Sequence, residues 1–309
     1  PVVVGLAVLL GLAYAHWILP AKVEASMNAV LPHAPYKISD RAQRLHESLF
    51  IADLHAESLL WKRDLATEAN VGHVDIPRLQ RGNVALQVFS ATTKSPAGQN
   101  YDRNATDSDR ITRLAVASFW PPRTWFSLYE RAAYQLEKLH DLTSKSELEV
   151  VTSRRDLQRL VGLRRGGERV LGAVYLIEGA HPLEGEIANL DRIVAAGHRV
   201  VALHHFFDNE LGGSLHGTSN AGLTDFGRTV VQEVIARGLI LDLAHSSKQV
   251  VEDVLALTDI PLILSHTGVQ AHCDVTRNLP DPLMKRVVAS GGIIGMGYWD
   301  EVNCGDSTP

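Results

Sequence analysis

Residues 239–268 read LILDLAHSSKQVVEDVLALTDIPLILSHTG. An aliphatic run, Leu239–Ala244, leads into a helical pattern with Val250, Val251, Val254 and Leu255 on one side. A second aliphatic run, Pro261–Ser265, follows. Runs this apolar have no water-facing side. They read as strands of a parallel sheet covered on both faces, with the helix crossing between them. Each run ends on a histidine, His245 and His266.

The same pattern repeats outward from this unit. LFIADLHAE (49–57) ends on His55 and Glu57, and AVYLIEG (173–179) ends on Glu178. Further strands are predicted at Val84–Ala91, Val200–His204 and Ile293–Trp299, with His205 at the end of the fourth strand. The helix after Glu178 carries Ile187, Leu190 and Ile193 inward and stops at Gly197. The next is capped at Thr224, buries Phe226, Val230 and Val234, and ends at Gly238. The last runs from Pro282 to Ala289 and is closed by Gly291. Strands alternating with helices predict an α/β fold, a (β/α)8 TIM-like barrel whose strand ends surround one pocket. Seven strands are read before Pro309. The expectation is a barrel truncated before its eighth strand, with an open seven-stranded sheet as the alternative.

Three segments precede or interrupt this pattern. Pro1–Pro20 has no charged residue. Spanning a bilayer takes about 20 apolar residues, so this segment is expected to be a hydrophobic helix serving as membrane anchor or signal. Ala13-Tyr14-Ala15 offers a cleavage site, which leaves secretion after signal cleavage open. Residues 21–38 read as a linker broken by Pro32 and Pro35, and 39–309 as the catalytic barrel. Residues 92–168 read as a helical insertion, with Leu128, Ala132, Leu136 and Leu139 on one helix face and Ser153 and Asp156 spaced as a capping box. Net charge is −5 and the basic residues are scattered, which disfavours a nucleic-acid surface. Two cysteines are too few for a disulfide scaffold but enough for one bridge.

Converging His55, Glu57, Glu178, His245 and His266 would form a nitrogen and oxygen donor set suited to zinc. His55 and Glu57 are two apart, so on a strand both face one side. Each signal alone is weak. An H-x-E pair is common by chance, a lone histidine is more often a satisfied core residue, and Glu178 could be paired with Arg277 or a lysine. Two histidines at equivalent places in successive strand–helix units favour ligation. His46, His140 and His198 read as surface residues, and His16 and His33 as lying outside the fold. His73, His181, His204, His216 and His272 are possible pocket residues.

Taken in order, the segments DLHAESLLW, GHVDIPRLQRGNVALQVFS, LIEGAHPL, GHRVVALHHFFDN, GLTDFGRTVV, LILDLAHSS, LILSHTGV and CDVTRNLPD resemble the membrane (renal) dipeptidase family, zinc peptidases of the amidohydrolase superfamily. The resemblance covers about residues 40 to 300. It implies a barrel with two zinc ions, the first held by His55 and Glu57, the second by His245 and His266, with Glu178 bridging them. It implies that His205 contacts the scissile carbonyl and that Arg277 pairs with the substrate's free carboxylate. The implied reaction is hydrolysis of dipeptides, including those with a C-terminal D-residue, by metal-bridged hydroxide attack. A Cys273–Cys304 disulfide, a catalytic domain outside the cytoplasm and a possible homodimer are implied as well.

Two departures stand against this pattern. The family usually has aspartate where this chain has Glu57, and its proton-transfer aspartate, in a D-F-D-G-like motif on the eighth strand, is not found here. A chain of these residues alone is expected to lack that group. The alternatives are another amidohydrolase acting on a non-peptide amide or ester, and a catalytically impaired, membrane-tethered binding protein.

Overall fold

A computed structural model describes residues 5–6, 10–11 and 13–305. Part of the expected Pro1–Pro20 anchor therefore lies outside the described residues. Among the described residues no helix is long and apolar enough to cross a membrane.

Eight parallel strands are present among the described residues: β1 Ile51–Ala56, β2 Val84–Thr92, β3 Leu148–Val150, β4 Leu171–Glu178, β5 Val200–Ala202, β6 Ile240–Asp242, β7 Ile263–Thr267 and β8 Ile293–Met296. Their order is β1-β2-β4-β5-β6-β7-β8, with β3 paired to β4. Sequential parallel strands joined by helices are the (β/α)8 TIM-like class. The seven strands predicted from the sequence are all present. The eighth corrects the reading of residues 92–168 as helical: β3 lies inside that stretch, in register with β4 through Leu148↔Leu171.

The chain forms two compact units, residues 1–90 with 113–126 and 134–174, and residues 91–112 with 127–133 and 175–309. In the first, the start of β4, residues 171–174, is buried, and Gly172 admits the helix Arg154–Arg165. A Cβ at Gly172 would lie 2.5 Å from Leu160 Cδ2 and 3.0 Å from Leu86 Cδ1. That helix starts as its spacing predicts: Ser153 Oγ accepts from Asp156 N, and Asp156 Oδ2 accepts from Thr152 N.

The expected linker 21–38 is corrected in part. Leu19–Met27 is helical and joined to the first unit. Its Glu24 is buried and meets Arg63 at 2.7 Å, Gly72 N donates to Asn28 O, and Ala29 bridges Val71. Burial raises the Glu24 carboxyl, and Arg63 opposes that rise. Arg63→Ala would leave a buried carboxylate without its partner, so a loss of roughly 3–5 kcal/mol is expected in urea unfolding. An unchanged midpoint would show that the segment is only loosely held.

The second unit is built on an aliphatic cluster including Ile177, Val201, Leu241 and Leu264 from the strands and Leu190, Val230, Val251 and Val287 from the helices. The helices Ala188–Ala196, Asp225–Ala236 and Lys248–Leu257 bury residues of the faces their periodicity predicted, and Asp281–Ala289 buries Leu283 and Val287. Thr224 Oγ1 accepts from Gly227 N as the cap of the second. Cys273 and Cys304 form a disulfide spanning 31 residues of sequence.

Candidate metal centre

In the second unit the ends of four neighbouring strands place Glu178 at the end of β4, His205 after β5, His245 after β6 and His266 in β7. Glu178 is 1% exposed. Its Oε1 lies 3.2 Å from His245 Nε2 and 3.5 Å from His266 Nε2, and its Oε2 lies 3.7 Å from His205 Nε2. The two nitrogens of His245 and His266 are 3.0 Å apart. Ligand atoms of Glu178, His205 and His245 all fall within 4.8 Å of one another. Three imidazoles thus flank the Glu178 carboxylate, and Arg277 is coupled to it by charge.

Neighbouring groups orient these rings. His205 Nδ1 lies 3.1 Å from Lys94 O. A carbonyl only accepts, so that nitrogen carries the proton and Nε2 faces Glu178. Thr92 Oγ1 donates to Glu178 Oε2 at 2.9 Å, and Ser265 Oγ lies 2.9 Å from His266 Nδ1. Asp242 Oδ1 accepts from Ala244 N and Ser265 N, joining the ends of β6 and β7 beside the two histidines. Asp242 was not singled out in the sequence. Its signal is a carboxylate inside an aliphatic run, a placement that requires partners.

Burial, aided by the Arg277 cation, lowers His245 well below the usual histidine value, so its ring is neutral. A neutral ring is the state that ligates a metal. Imidazole nitrogens facing one another and a buried carboxylate at 3–4 Å form a donor set that a zinc-like cation would satisfy. The residues present therefore fit the implied metal.

Arg277 is 1% exposed, and burial lowers it to about 10. Its Nη1 and Nη2 each donate at 2.5 Å, to Ala244 O and His266 O, while Nε has no partner among the described residues. The guanidinium thus holds the backbone beside two of the histidines. Trp299 covers it, 5.7 Å from ring centroid to Cζ.

His55 and Glu57 belong to the first unit. His55 lies near the end of β1, but Glu57 falls outside the strand, with φ −85° and ψ 26° at the start of the short helix Ser58–Leu60. The chain turns there, so the alternation that set both side chains on one strand face does not extend to Glu57. His198, read as a surface residue, is buried with its ring 6.1 Å from Tyr175.

Two possible pocket histidines are fully buried. His204 Nδ1 meets Ser246 Oγ at 3.0 Å, and His216 Nδ1 donates to Tyr101 O at 2.7 Å with its ring stacked on Phe206. Burial lowers His204 to about 4 and, with Arg277, lowers His216 to about 3. The unfolded chain takes up these protons near pH 6.5, before the folded one does. Stability is therefore full above pH 6.5 and falls as pH drops through about 4 and then about 3. His204 alone contributes roughly 3 kcal/mol to this loss. Thermal unfolding of metal-free protein between pH 7 and pH 4 is expected to show a falling midpoint, and a flat profile would contradict buried neutral histidines.

Comparison with known proteins finds relatives of this chain in sequence and in fold. A family model described as membrane dipeptidase (peptidase family M19) matches residues 39–302. Dipeptidase 3 of Mus musculus is 28% identical, over 72% of this chain and 45% of the relative. The Homo sapiens protein of that name is 26% identical, over 72% and 46%. The chain thus spans about half the length of the curated relatives it matches. Among solved structures, the probable dipeptidase PvdM from Pseudomonas aeruginosa aligns with a TM-score of 0.64 at 21% identity, covering 83% of this chain and 62% of that one. A metallo peptidase from Rhodobacter sphaeroides, liganded with a phosphinate mimic of the dipeptide L-Ala-D-Ala, aligns with a TM-score of 0.63 at 20% identity, covering 84% and 76%. These structures share the fold, and the family match spans the strand ends that carry the histidines: the chain belongs to the membrane dipeptidase family, peptidase family M19.

Proposed function

We propose that this chain is the catalytic part of a zinc-dependent dipeptidase. The observation that carries the reading is the buried group of Glu178, His205, His245 and His266, with Arg277 supporting the backbone beside it. Glu178, His245 and His266 would hold zinc, and His55 and Glu57 would serve as further zinc ligands. When bound, the metals supply Lewis acidity and lower the pKa of a water nucleophile.

The chain's own groups do the remaining work. Arg277 receives the substrate's C-terminal carboxylate, and its unpartnered Nε is a donor not used by the fold. His205 faces the scissile carbonyl. With Nδ1 already donating to Lys94 O, it can donate there only by carrying a second proton on Nε2. Dipeptides ending in a D-residue are included among the substrates. The related Rhodobacter enzyme, crystallised with a mimic of L-Ala-D-Ala, supports that choice. The Cys273–Cys304 disulfide supports a catalytic part in an oxidising compartment, with the apolar Pro1–Pro20 segment tethering it to a membrane.

The test is hydrolysis of Ala–D-Ala by the zinc-loaded protein beside the same dipeptide with its carboxylate amidated. Cleavage of the free acid alone is the expected result, and equal cleavage of both would overturn the dipeptidase reading. Glu57→Asp, one methylene shorter, is expected to keep or raise zinc occupancy measured by elemental analysis. Lower occupancy would count against Glu57 as a ligand.

A further inference from the structure

A cleft of about 450 Å³ opens in the second unit beside His205, among Lys94, His181, Glu184, Phe207, Asp208 and Glu210. It is linked to the proposed centre through Lys94 and His181. Lys94 carries the carbonyl that holds His205 Nδ1. Gly179 separates His181 from His205: with φ +75°, a Cβ there would lie 2.7 Å from the His181 ring and 3.2 Å from His205 Cβ. The volume falls within the range of small-molecule sites, about 300–1,000 Å³.

Strand order sets the direction of a bound dipeptide. Arg277 follows β7, and the ends of β7, β6, β5 and β4 then lie side by side. A dipeptide with its carboxylate on Arg277 and its peptide bond at Glu178, His245 and His266 runs along these ends toward His205 and His181. Its first residue therefore arrives at the cleft.

The lining selects a charge. Beside His181, its ionisable side chains are three carboxylates against one ammonium. Lys94 is already committed, with Nζ donating to Thr106 O and lying 4.9 Å from the Phe207 ring centre. Glu184 accepts from Leu128 N, and Asp208 accepts from Ser214 N, Thr218 N and Ser219 N. The Glu210 carboxylate has no such task among the described contacts. His181 lines the same cleft, only 5% exposed, and its Nε2 has no hydrogen-bond partner among the described residues.

We propose that this cleft receives the side chain of the substrate's first residue and favours a basic one, lysine or arginine, through Glu210 and the acidic wall. This rests on the dipeptidase reading above and adds its substrate class.

The test compares kcat/KM for Arg–Ala, Lys–Ala, norleucine–Ala and Glu–Ala on the zinc-loaded protein and on Glu210→Gln and Glu210→Lys. Arg–Ala and Lys–Ala are expected to exceed norleucine–Ala about tenfold, the size of one charge-assisted hydrogen bond. That ratio should collapse in Glu210→Gln, and Glu210→Lys should shift preference toward Glu–Ala. If norleucine–Ala is cleaved as well as Arg–Ala, or the ratio survives Glu210→Gln, the cleft proposal fails while the dipeptidase reading stands. If no dipeptide is cleaved, both fail.

Discussion

Glu178→Gln is expected to lose its zinc and at least about a thousandfold of its dipeptide hydrolysis, some 4 kcal/mol of transition-state stabilisation. Glutamine keeps the volume and an oxygen for Thr92 Oγ1, so the local packing is retained. What it removes is the charge that offsets a cation among His205, His245 and His266. Added zinc should raise the unfolding midpoint of the parent, because a ligand binding only the folded state stabilises it. It should not do so in the variant. A variant with undiminished zinc per chain would remove Glu178 from the metal centre.

Arg277→Lys is the second large effect. Lysine offers a point charge where the guanidinium now reaches both Ala244 O and His266 O. Its kcat/KM toward dipeptides with a free carboxylate is expected to fall about 100- to 1,000-fold, roughly 3–4 kcal/mol, mostly through KM. The preference for free acid over amide should narrow by a similar factor. A variant that keeps this preference would show that Arg277 serves only the backbone. Near-ultraviolet circular dichroism separates loss of fold from loss of recognition.

The sequence made the strand ends legible because a polar residue closing an aliphatic run is costly unless it has a task. That logic found Glu178, His245 and His266, and the repeat of the pattern added His205. It failed where local pattern is silent. Leu148–Val150 is three residues long and gains strand structure only from pairing with β4. Glu57 was placed by extending strand alternation past Ala56, where the backbone turns into a short helix. Glu24 is buried because Arg63, 39 residues away, meets it, and no local periodicity encodes such a pair. His198 follows the glycine that ends a helix, a position that suggests solvent, yet the Tyr175 ring covers it.

Hydrolysis of Ala–D-Ala before chelation, after chelation and after zinc is restored tests the central claim most directly. Activity that disappears with the metal and returns with zinc is the predicted result. Activity that survives complete metal removal would contradict a metal centre at Glu178, His245 and His266.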